Sequence, residues 1–292
     1  MITDFCLVHD LIRYSNLDLV AQIPVTGKVN RLSEPLIQNR VFLRERVESR
    51  VFRAIVQEIR NRPRRKGRAE MKLISVSTGL PRETTWHGRP VTTGIFKQPV
   101  EGRVALRKLN LDGDRQADLT VHGGEYKAIY CYPLEHYDYW KRELPGRELP
   151  TAIFGENFTT EGLLENSVHL GDQLSIGSAE VIVTQPRLPC YKLGVRFLSD
   201  DMVKRFLASG RTGFYFAVIR EGDVGAGDEI KVIARDLNGI PVSEVTRLYI
   251  AKRYDNDDVS SIQRALRVKA LPESWKAYFR ERLQEVRVEM EN

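Results

Sequence analysis

Between residues 71 and 235 the chain alternates hydrophobic and polar residues in short runs, and glycine turns separate these runs. A period of two is typical of β-strands with one buried face. The strand candidates are residues 71–77, 92–97, 102–106 and 179–184. Residues 133–144 and 200–208 instead repeat apolar positions at helical spacing. The pattern therefore predicts a mainly β domain with two flanking helices.

A Gly-Asp pair occurs twice, as Gly171-Asp172 and Gly227-Asp228, within the same pattern Val-x-x-Gly-Asp-x-aliphatic-x-aliphatic. Each copy reads as a turn that leads into an alternating strand. Two copies are too few for a repeat protein. Similar corners do suit a sheet that closes on itself. We therefore predict a β-barrel over residues 71–235.

Three short amphipathic segments follow in residues 242–290 and predict a small helical domain. Ser243, the pair Asp257 and Asp258, and Pro272 mark the expected helix starts. About 50 residues are too few for a large core of their own. The three helices are therefore expected to dock on the barrel or on another subunit.

Residues 1–70 differ from the rest of the chain in charge. The formal net charge is +6, and the whole excess falls in this segment. Residues 36–59 have the pattern of an amphipathic helix, which the basic run 61–68 would end. We predict a dispensable N-terminal extension, either disordered or upstream of a later start at Met71. The alternative is a basic targeting or nucleic-acid arm, but no aromatic residues are interleaved with the basic run.

The remaining composition narrows the class of protein. Residues 71–292 are formally neutral, so no nucleic acid is expected to bind the barrel. Cys6, Cys131 and Cys190 are too few for a disulfide framework and lack zinc or iron–sulfur spacing. No apolar run is long enough to span a membrane, and no secretory signal is visible. The expected location is the cytoplasm.

The sequence Gln-Pro-Arg-Leu-Pro-Cys-Tyr-Lys-Leu at 185–193 follows the strand candidate 179–184. Its two prolines are predicted to end the strand and to stiffen the backbone around Cys190. Arg187 and Lys192 bring positive charge, which favours the thiolate, the form that acts as nucleophile and metal ligand. The alternative is a small buried cysteine beside two ordinary surface cations.

A second polar stretch contains His122, Gly123 and Gly124, followed by Lys127. Two glycines leave bare backbone N–H groups beside an imidazole and a lysine, which suits an anion or a phosphate. The alternative is a hairpin turn with a surface histidine.

Two further stretches hold polar residues where packing does not require them. Glu156 and Asn157 stand between Phe154 and Phe158, so their side chains are either satisfied by the backbone or presented to a pocket. Arg211 follows a predicted helix between two glycines. It is either solvated or available to a phosphate.

In their order along the chain these stretches resemble the MOSC domain, and more specifically the stand-alone bacterial type known as YiiM. The matching stretches are His-Gly-Gly to Lys-Ala at 122–128, Tyr-Pro-x-Glu-His-Tyr-x-x-Trp at 132–140, Phe-Gly-Glu-Asn-x-Thr-Thr-Glu-Gly at 154–162, Gly-Asp at 171–172 and Gln-Pro-Arg-x-Pro-Cys-x-Lys-Leu at 185–193. The resemblance runs from about Met71 to the C-terminus and includes the three terminal helices. It does not cover residues 1–70.

The resemblance implies a β-barrel that binds the molybdenum cofactor, a pterin dithiolene (molybdopterin) with a phosphate tail. Carried over by position, Cys190 would be the metal ligand. The family's purine-related role is reduction of N-hydroxylated bases such as 6-hydroxylaminopurine, and other members reduce N-hydroxylated compounds more broadly. The expectation is therefore a molybdenum oxidoreductase that detoxifies such bases by converting N–OH to N–H.

The residue chemistry assigns expected roles in such a site. Cations and bare N–H groups suit the pterin phosphate, and a proton donor is needed at the N–OH group. The expected cofactor-binding residues are Gly123, Gly124, Lys127, Asn157, Arg187, Lys192 and Arg211. The expected catalytic residues are Cys190, His122 and Glu156, with His122 or Glu156 as the proton donor. We expect His122, Glu156, Asn157 and Cys190 to meet at one mouth of the barrel.

The expected partners are a small N-hydroxylated substrate and a separate reductase, with a homodimer as the further expectation for assembly. The chain has no Gly-x-Gly-x-x-Gly fingerprint and no cluster cysteines. Electrons must therefore come from another protein, expected to be a flavoprotein. Two alternatives stay open: a carrier that holds the cofactor or a persulfide on Cys190, and a small-molecule-binding barrel without chemistry.

Overall fold

A computed structural model describes residues 70–118 and 123–291 of the chain. The strands are β1 (Met71–Thr78), β2 (Arg82–Trp86), β3 (Arg89–Thr93), β4 (Gln98–Pro99), β5 (Arg103–Leu106), β6 (Ile129–Pro133), β7 (Phe158–Glu161), β8 (Gln173–Ile176), β9 (Ala179–Pro186), β10 (Phe214–Arg220), β11 (Gly222–Gly225) and β12 (Glu229–Ala234). The extension, the helix and the basic run predicted within residues 1–69 lie outside the described residues.

Seven strands form a closed barrel. They pair in the order β1, β12, β8, β9, β10, β6 and β7, and β7 pairs back to β1. All these pairings are antiparallel except the one between β6 and β7. The short β4 adds to β1, while β2 with β3 and β5 with β11 form separate two-stranded sheets. The predicted mainly β fold with a closed barrel is confirmed.

The two Gly-Asp pairs form equivalent corners of this barrel. Gly171 and Gly227 have φ of 81° and 92°, a left-handed conformation that glycine adopts without strain. The carboxylates of Asp172 and Asp228 each accept a hydrogen bond of 2.9 Å from the backbone N–H three residues earlier. Strands β8 and β12 start directly after these corners and pair with each other. The repeated pattern thus marks two neighbouring strands of the closed sheet.

Three helices, α1 (Glu135–Glu143), α2 (Tyr191–Phe197) and α3 (Met202–Ala208), pack on the barrel around an aromatic cluster. Trp140 of α1 donates its indole N–H to the Tyr132 hydroxyl at 2.7 Å, and the Phe206 ring stacks on it. Helix α1 begins later than predicted because Pro133 still belongs to β6. Helix α2 has no counterpart among the predicted elements, because it spans only two turns.

The C-terminal helices are α4 (Val242–Ile250), α5 (Asn256–Arg267) and α6 (Glu273–Glu291). Helix α5 is capped by Asp255 rather than by the expected pair Asp257 and Asp258, although Asp258 takes part by exchanging side-chain to backbone hydrogen bonds with Asp255. Buried residues of α4 and α5 belong to the same hydrophobic core as the barrel residues Val168 and Leu170. The helices therefore dock on the barrel, the first of the two expectations.

Two strand predictions were wrong in their limits. The strand expected over residues 92–97 ends at Thr93, and the next residue is Gly94, where any side chain would collide with the Arg115 carbonyl. The strand expected to end before Pro186 includes it, and Pro186 pairs with Phe214. A proline is tolerated at a strand end, where its missing N–H is not needed. In the described ranges, no helix is long and apolar enough to cross a membrane.

Candidate functional site

Cys190 lies at the end of a loop that leaves the barrel from β9. The Arg187 backbone N–H still bonds to the Gly213 carbonyl at 3.1 Å, so the loop stays fixed to the barrel just beyond Pro186. Cys190 is the residue before the first turn of α2, and its side chain is half-buried. The thiol therefore stands at a fixed place between the barrel and α2, and it borders a cavity.

This cavity, called here the cationic cavity, has a volume of about 100 Å³. Cys190 and Asn157 line it together with the tyrosines Tyr130 and Tyr215. Its five cationic lining residues are Lys97, Arg115, Lys127, Arg187 and Lys192. No carboxylate is among the described residues that line it. The wall is thus strongly positive, and it attracts an anion.

Arg187 is the most deeply placed of these cations. It is 6% exposed, its guanidinium donates to the Tyr130 hydroxyl at 3.2 Å, and it lies 4.5 Å above the Tyr130 ring. Burial opposes its charge, but interactions with Tyr130, Tyr215 and Cys190 outweigh burial and hold its pKa above the usual value. Arg187 is therefore a permanent cation beside the thiol.

Lys97 belongs to a buried polar network under the cavity. Its ammonium forms an ion pair with Asp114, and burial lowers the pKa of Lys97. The other oxygen of Asp114 accepts a hydrogen bond from the Asn157 side chain at 2.9 Å. The Asn157 carboxamide oxygen in turn accepts the Tyr130 backbone N–H at 3.1 Å. Asn157 thus links the Lys97–Asp114 ion pair to β6, and these bonds fix the orientation of the Asn157 side chain.

Glu156 does not reach the cavity. It is fully buried, and its carboxylate accepts hydrogen bonds from the Ala152 N–H at 2.9 Å, the Phe154 N–H at 3.1 Å, the Thr159 hydroxyl at 3.1 Å and the Tyr137 hydroxyl. Burial raises the pKa of Glu156. Instead of the expected proton donor, the geometry makes Glu156 a residue that shapes the 152–156 turn.

The glycine stretch reaches the cavity through one side chain. Gly124, with φ of 91°, precedes a single 3-10 turn, Glu125–Lys127. Lys127 lines the cavity, whereas Gly123 and Gly124 do not. Burial holds the pKa of Lys127 below its usual value, although the nearby Cys190 opposes this shift. His122, expected to meet Cys190, lies outside the described residues.

Arg211 lies elsewhere, in a surface groove. Its guanidinium stacks 4.1 Å from the Tyr139 ring and bonds to the Ser209 carbonyl at 3.0 Å. His136 and Glu165 also line this groove. The structure therefore groups Cys190, Asn157, Lys127, Arg187 and Lys192 at one cavity and separates Arg211 from them.

Among the lining residues that the sequence did not reveal are two cations, Lys97 and Arg115, and two tyrosines, Tyr130 and Tyr215. Lys97 follows the apolar pair Ile95 and Phe96, and a lysine directly after apolar residues could have indicated a buried cation. Tyr130 was hidden in an alternating strand, where a buried tyrosine is ordinary packing.

The lining suits an anionic cofactor that brings most of its own metal ligands. Cys190 offers one soft sulfur. Within the described part of the chain, no group of three His, Cys, Asp or Glu side chains could hold a metal ion alone. The cations provide counter-charge for a phosphate tail. The chemistry of these donors therefore fits a metal–dithiolene with a phosphate.

Comparison with known proteins defines the class. Residues 118–231 match the MOSC domain, and residues 240–285 match the YiiM-like, 3-alpha helix domain. Protein YflK of Bacillus subtilis (strain 168) is 41% identical over 207 residues, which are 71% of this chain and 92% of that protein. Protein YiiM of Escherichia coli (strain K12) is 38% identical over 190 residues, 64% and 82% of the two chains.

A solved structure supports the same class. The crystal structure of YiiM from Geobacillus stearothermophilus superposes with a TM-score of 0.61 at 34% identity, covering 73% of this chain and 99% of that one. A protein named "Reductase" from Gibberella moniliformis (strain M3125 / FGSC 7600) is 31% identical over 168 residues, 56% of this chain and 30% of its own length. The chain belongs to the MOSC-domain proteins of the YiiM type, with a C-terminal three-helix domain.

Proposed function

We propose that the protein is a molybdenum-cofactor-dependent oxidoreductase that reduces N–OH to N–H in compounds such as 6-hydroxylaminopurine. The observation that carries this proposal is a half-buried thiol at a cavity with five cations and no carboxylate among its described lining residues. The relative named "Reductase" supports the same class of reaction.

The residues of the cavity have separate tasks in this proposal. Cys190 would bind the metal through its sulfur, and Arg187, Lys97, Lys127 and Lys192 would hold the anionic parts of the cofactor. The Asn157 side chain is held in one orientation, because its amide oxygen and its amide nitrogen both form hydrogen bonds. When bound, the cofactor would supply a metal centre that passes two electrons to the N–OH group.

The reaction needs two electrons and two protons, breaks the N–O bond and releases water. The electrons are proposed to come from a separate flavoprotein reductase, since the sequence has no dinucleotide fingerprint. A proton source must stand beside the metal ligand. Lys127 lines the cavity together with Cys190, and its pKa, which burial lowers, makes its ammonium a better proton donor.

The decisive experiment compares wild type with Cys190→Ser, both made in a molybdenum-replete host. Serine keeps the size of the side chain but is not a soft ligand. We expect molybdenum content, and reduction of 6-hydroxylaminopurine with an artificial electron donor, to fall to near background. Cys131→Ser is the control, because Cys131 is buried in β6 away from the cavity, and it should stay close to wild type.

Each outcome of this comparison has a distinct meaning. Full molybdenum and full activity in Cys190→Ser would refute the thiolate ligand. Wild-type protein that binds the cofactor but never turns over with the artificial donor would favour a cofactor carrier instead. Wild-type protein without molybdenum or pterin would leave only a binding barrel without this chemistry.

A further inference from the structure

A second, larger cavity meets the first at Cys190. Its volume is about 340 Å³, and it lies between the loop after β9 and the C-terminal helices. Its apolar and aromatic lining residues are Pro186, Leu188, Pro189, Tyr215, Tyr249, Trp275 and Tyr278. Lys127 is the one charged side chain among its described lining residues. We call it the aromatic cavity.

The aromatic wall is held rigidly by its own contacts. Tyr249, Trp275 and Tyr278 form a triangle with ring-centroid distances of 5.4, 5.1 and 6.5 Å. The Trp275 indole N–H donates to the Gln185 side chain at 2.6 Å, and the Tyr278 hydroxyl donates to the Tyr249 carbonyl at 3.3 Å. Three rings in fixed positions form a surface that suits a planar ring.

Three residues border both cavities: Lys127, Cys190 and Tyr215. A molecule in the aromatic cavity is therefore in reach of the thiol that faces the cationic cavity. The two cavities also differ in charge, since the first has five cations and the second has one. An anionic cofactor prefers the first cavity, and an uncharged planar molecule prefers the second.

We propose that the aromatic cavity binds the substrate, and that its ligands are uncharged planar heteroaromatic molecules. The ring would pack against the aromatic wall of the three-helix domain, with its exocyclic N–OH group directed to Cys190 and Lys127. This inference rests on the proposed function for the reaction. The site itself is independent of turnover, because binding does not need the metal.

The test uses two exposed serines of the helical domain. Ser274 lines the aromatic cavity, so Ser274→Trp should fill its edge without disturbing the core. Ser260 is exposed on α5 and is not among the lining residues, so Ser260→Trp is the matched control. Calorimetry on molybdenum-free full-length protein would measure the binding of 6-hydroxylaminopurine. We expect affinity to fall at least tenfold in Ser274→Trp and to stay unchanged in Ser260→Trp.

Molybdenum-loaded protein provides the second readout. Ser274→Trp should keep its molybdenum and raise KM for 6-hydroxylaminopurine by at least about tenfold, which lies within the worth of one base–aromatic stacking contact. Lost molybdenum in Ser274→Trp would show that the aromatic cavity holds the cofactor and overturn the proposal. Unchanged affinity in Ser274→Trp, or no binding to wild type, would overturn it too. Binding that follows these expectations without turnover would sustain the site and refute the reaction.

Discussion

The cationic cavity and the groove around His136 look equally suited to chemistry in a list of residue types. The described lining of the groove has a histidine, two carboxylates and two arginines, and that of the cavity has a cysteine, two amides and five cations. Their internal bonding separates them. In the groove, His136 and Glu165 bond to each other at 2.6 Å, and the second oxygen of Glu165 accepts the Gly213 N–H at 2.8 Å.

The described lining residues of the cationic cavity carry a net positive charge, whereas the arginines and carboxylates that line the groove balance each other. The described lining residues of the cavity bring five positive charges and no carboxylate, and the buried Asp114 behind them forms an ion pair with Lys97. An excess of positive charge within one cavity is costly to fold unless negative charge, such as that of a bound anion, offsets it. The contrast teaches that the balance of charge, rather than the presence of catalytic residue types, is what separates these two regions.

The largest expected effect is on cofactor retention when the cavity loses its deepest cation. Arg187→Met keeps the length of the side chain but removes its charge. Loss of a charge-assisted hydrogen bond predicts a fall in cofactor affinity on the order of 10- to 100-fold. Molybdenum per protein, measured after gel filtration, would report it.

Arg211→Met is the matched control for that change. Arg211 stacks on Tyr139 in the groove, so cofactor retention should stay at the wild-type level. An equal loss in both variants would mean that the comparison between cavity and groove is wrong, and that Arg211 has the cofactor role the sequence suggested.

A substitution in the groove should instead lower the free energy of unfolding. Glu165→Gln removes the negative charge and one acceptor oxygen, so either His136 loses its carboxylate acceptor or the Gly213 N–H loses its acceptor. A buried donor without an acceptor predicts a loss of about 1–3 kcal/mol in the free energy of unfolding. Urea titration measures it, with the exposed Glu161→Gln as control. Reduced molybdenum content in the folded Glu165→Gln protein would show that the groove serves the cofactor site.

The smallest disturbance is chemical labelling of the two described cysteines in a Cys6→Ser background. Cys190 borders a cavity, whereas Cys131 is fully buried, and burial raises the pKa of Cys131. In the folded state Cys131 therefore keeps its proton as the pH rises from 7 to 9. Iodoacetamide should alkylate Cys190 at least about tenfold faster over this range. Equal rates in native protein, and not merely in urea, would contradict the assigned burial.

Local patterns predicted the fold well where each element is locally encoded. The Gly-Asp corners, the strand 179–184 and the three terminal helices each depend on a periodicity or a turn within a dozen residues. The ends of the strands were less predictable. Pro186, for example, stays in β9 because it pairs with Phe214, a residue far along the chain. Helix α2 is too short for its period to stand out.

The site was predictable in part for the same reason. Asn157, Arg187 and Lys192 were found because they lie near the cysteine motif or between buried aromatics. Lys97 was missed, since only folding brings the segment after β3 against Asp114 and Asn157. Glu156 was misjudged because its four donors come from the turn before it, from α1 and from β7, an arrangement that no spacing in the sequence reveals.

The hydrogen bond from Trp275 to Gln185 has a consequence for how the protein unfolds. Gln185 also donates to the Tyr126 carbonyl at 3.2 Å, beside Lys127, so one amide joins α6, β9 and the 3-10 turn. Detaching the helices would break the bond to Trp275 and expose the shared core to water. The barrel and the helices should therefore melt as one cooperative unit, and a barrel cut free of its helices would have to repack the part of the core that they share.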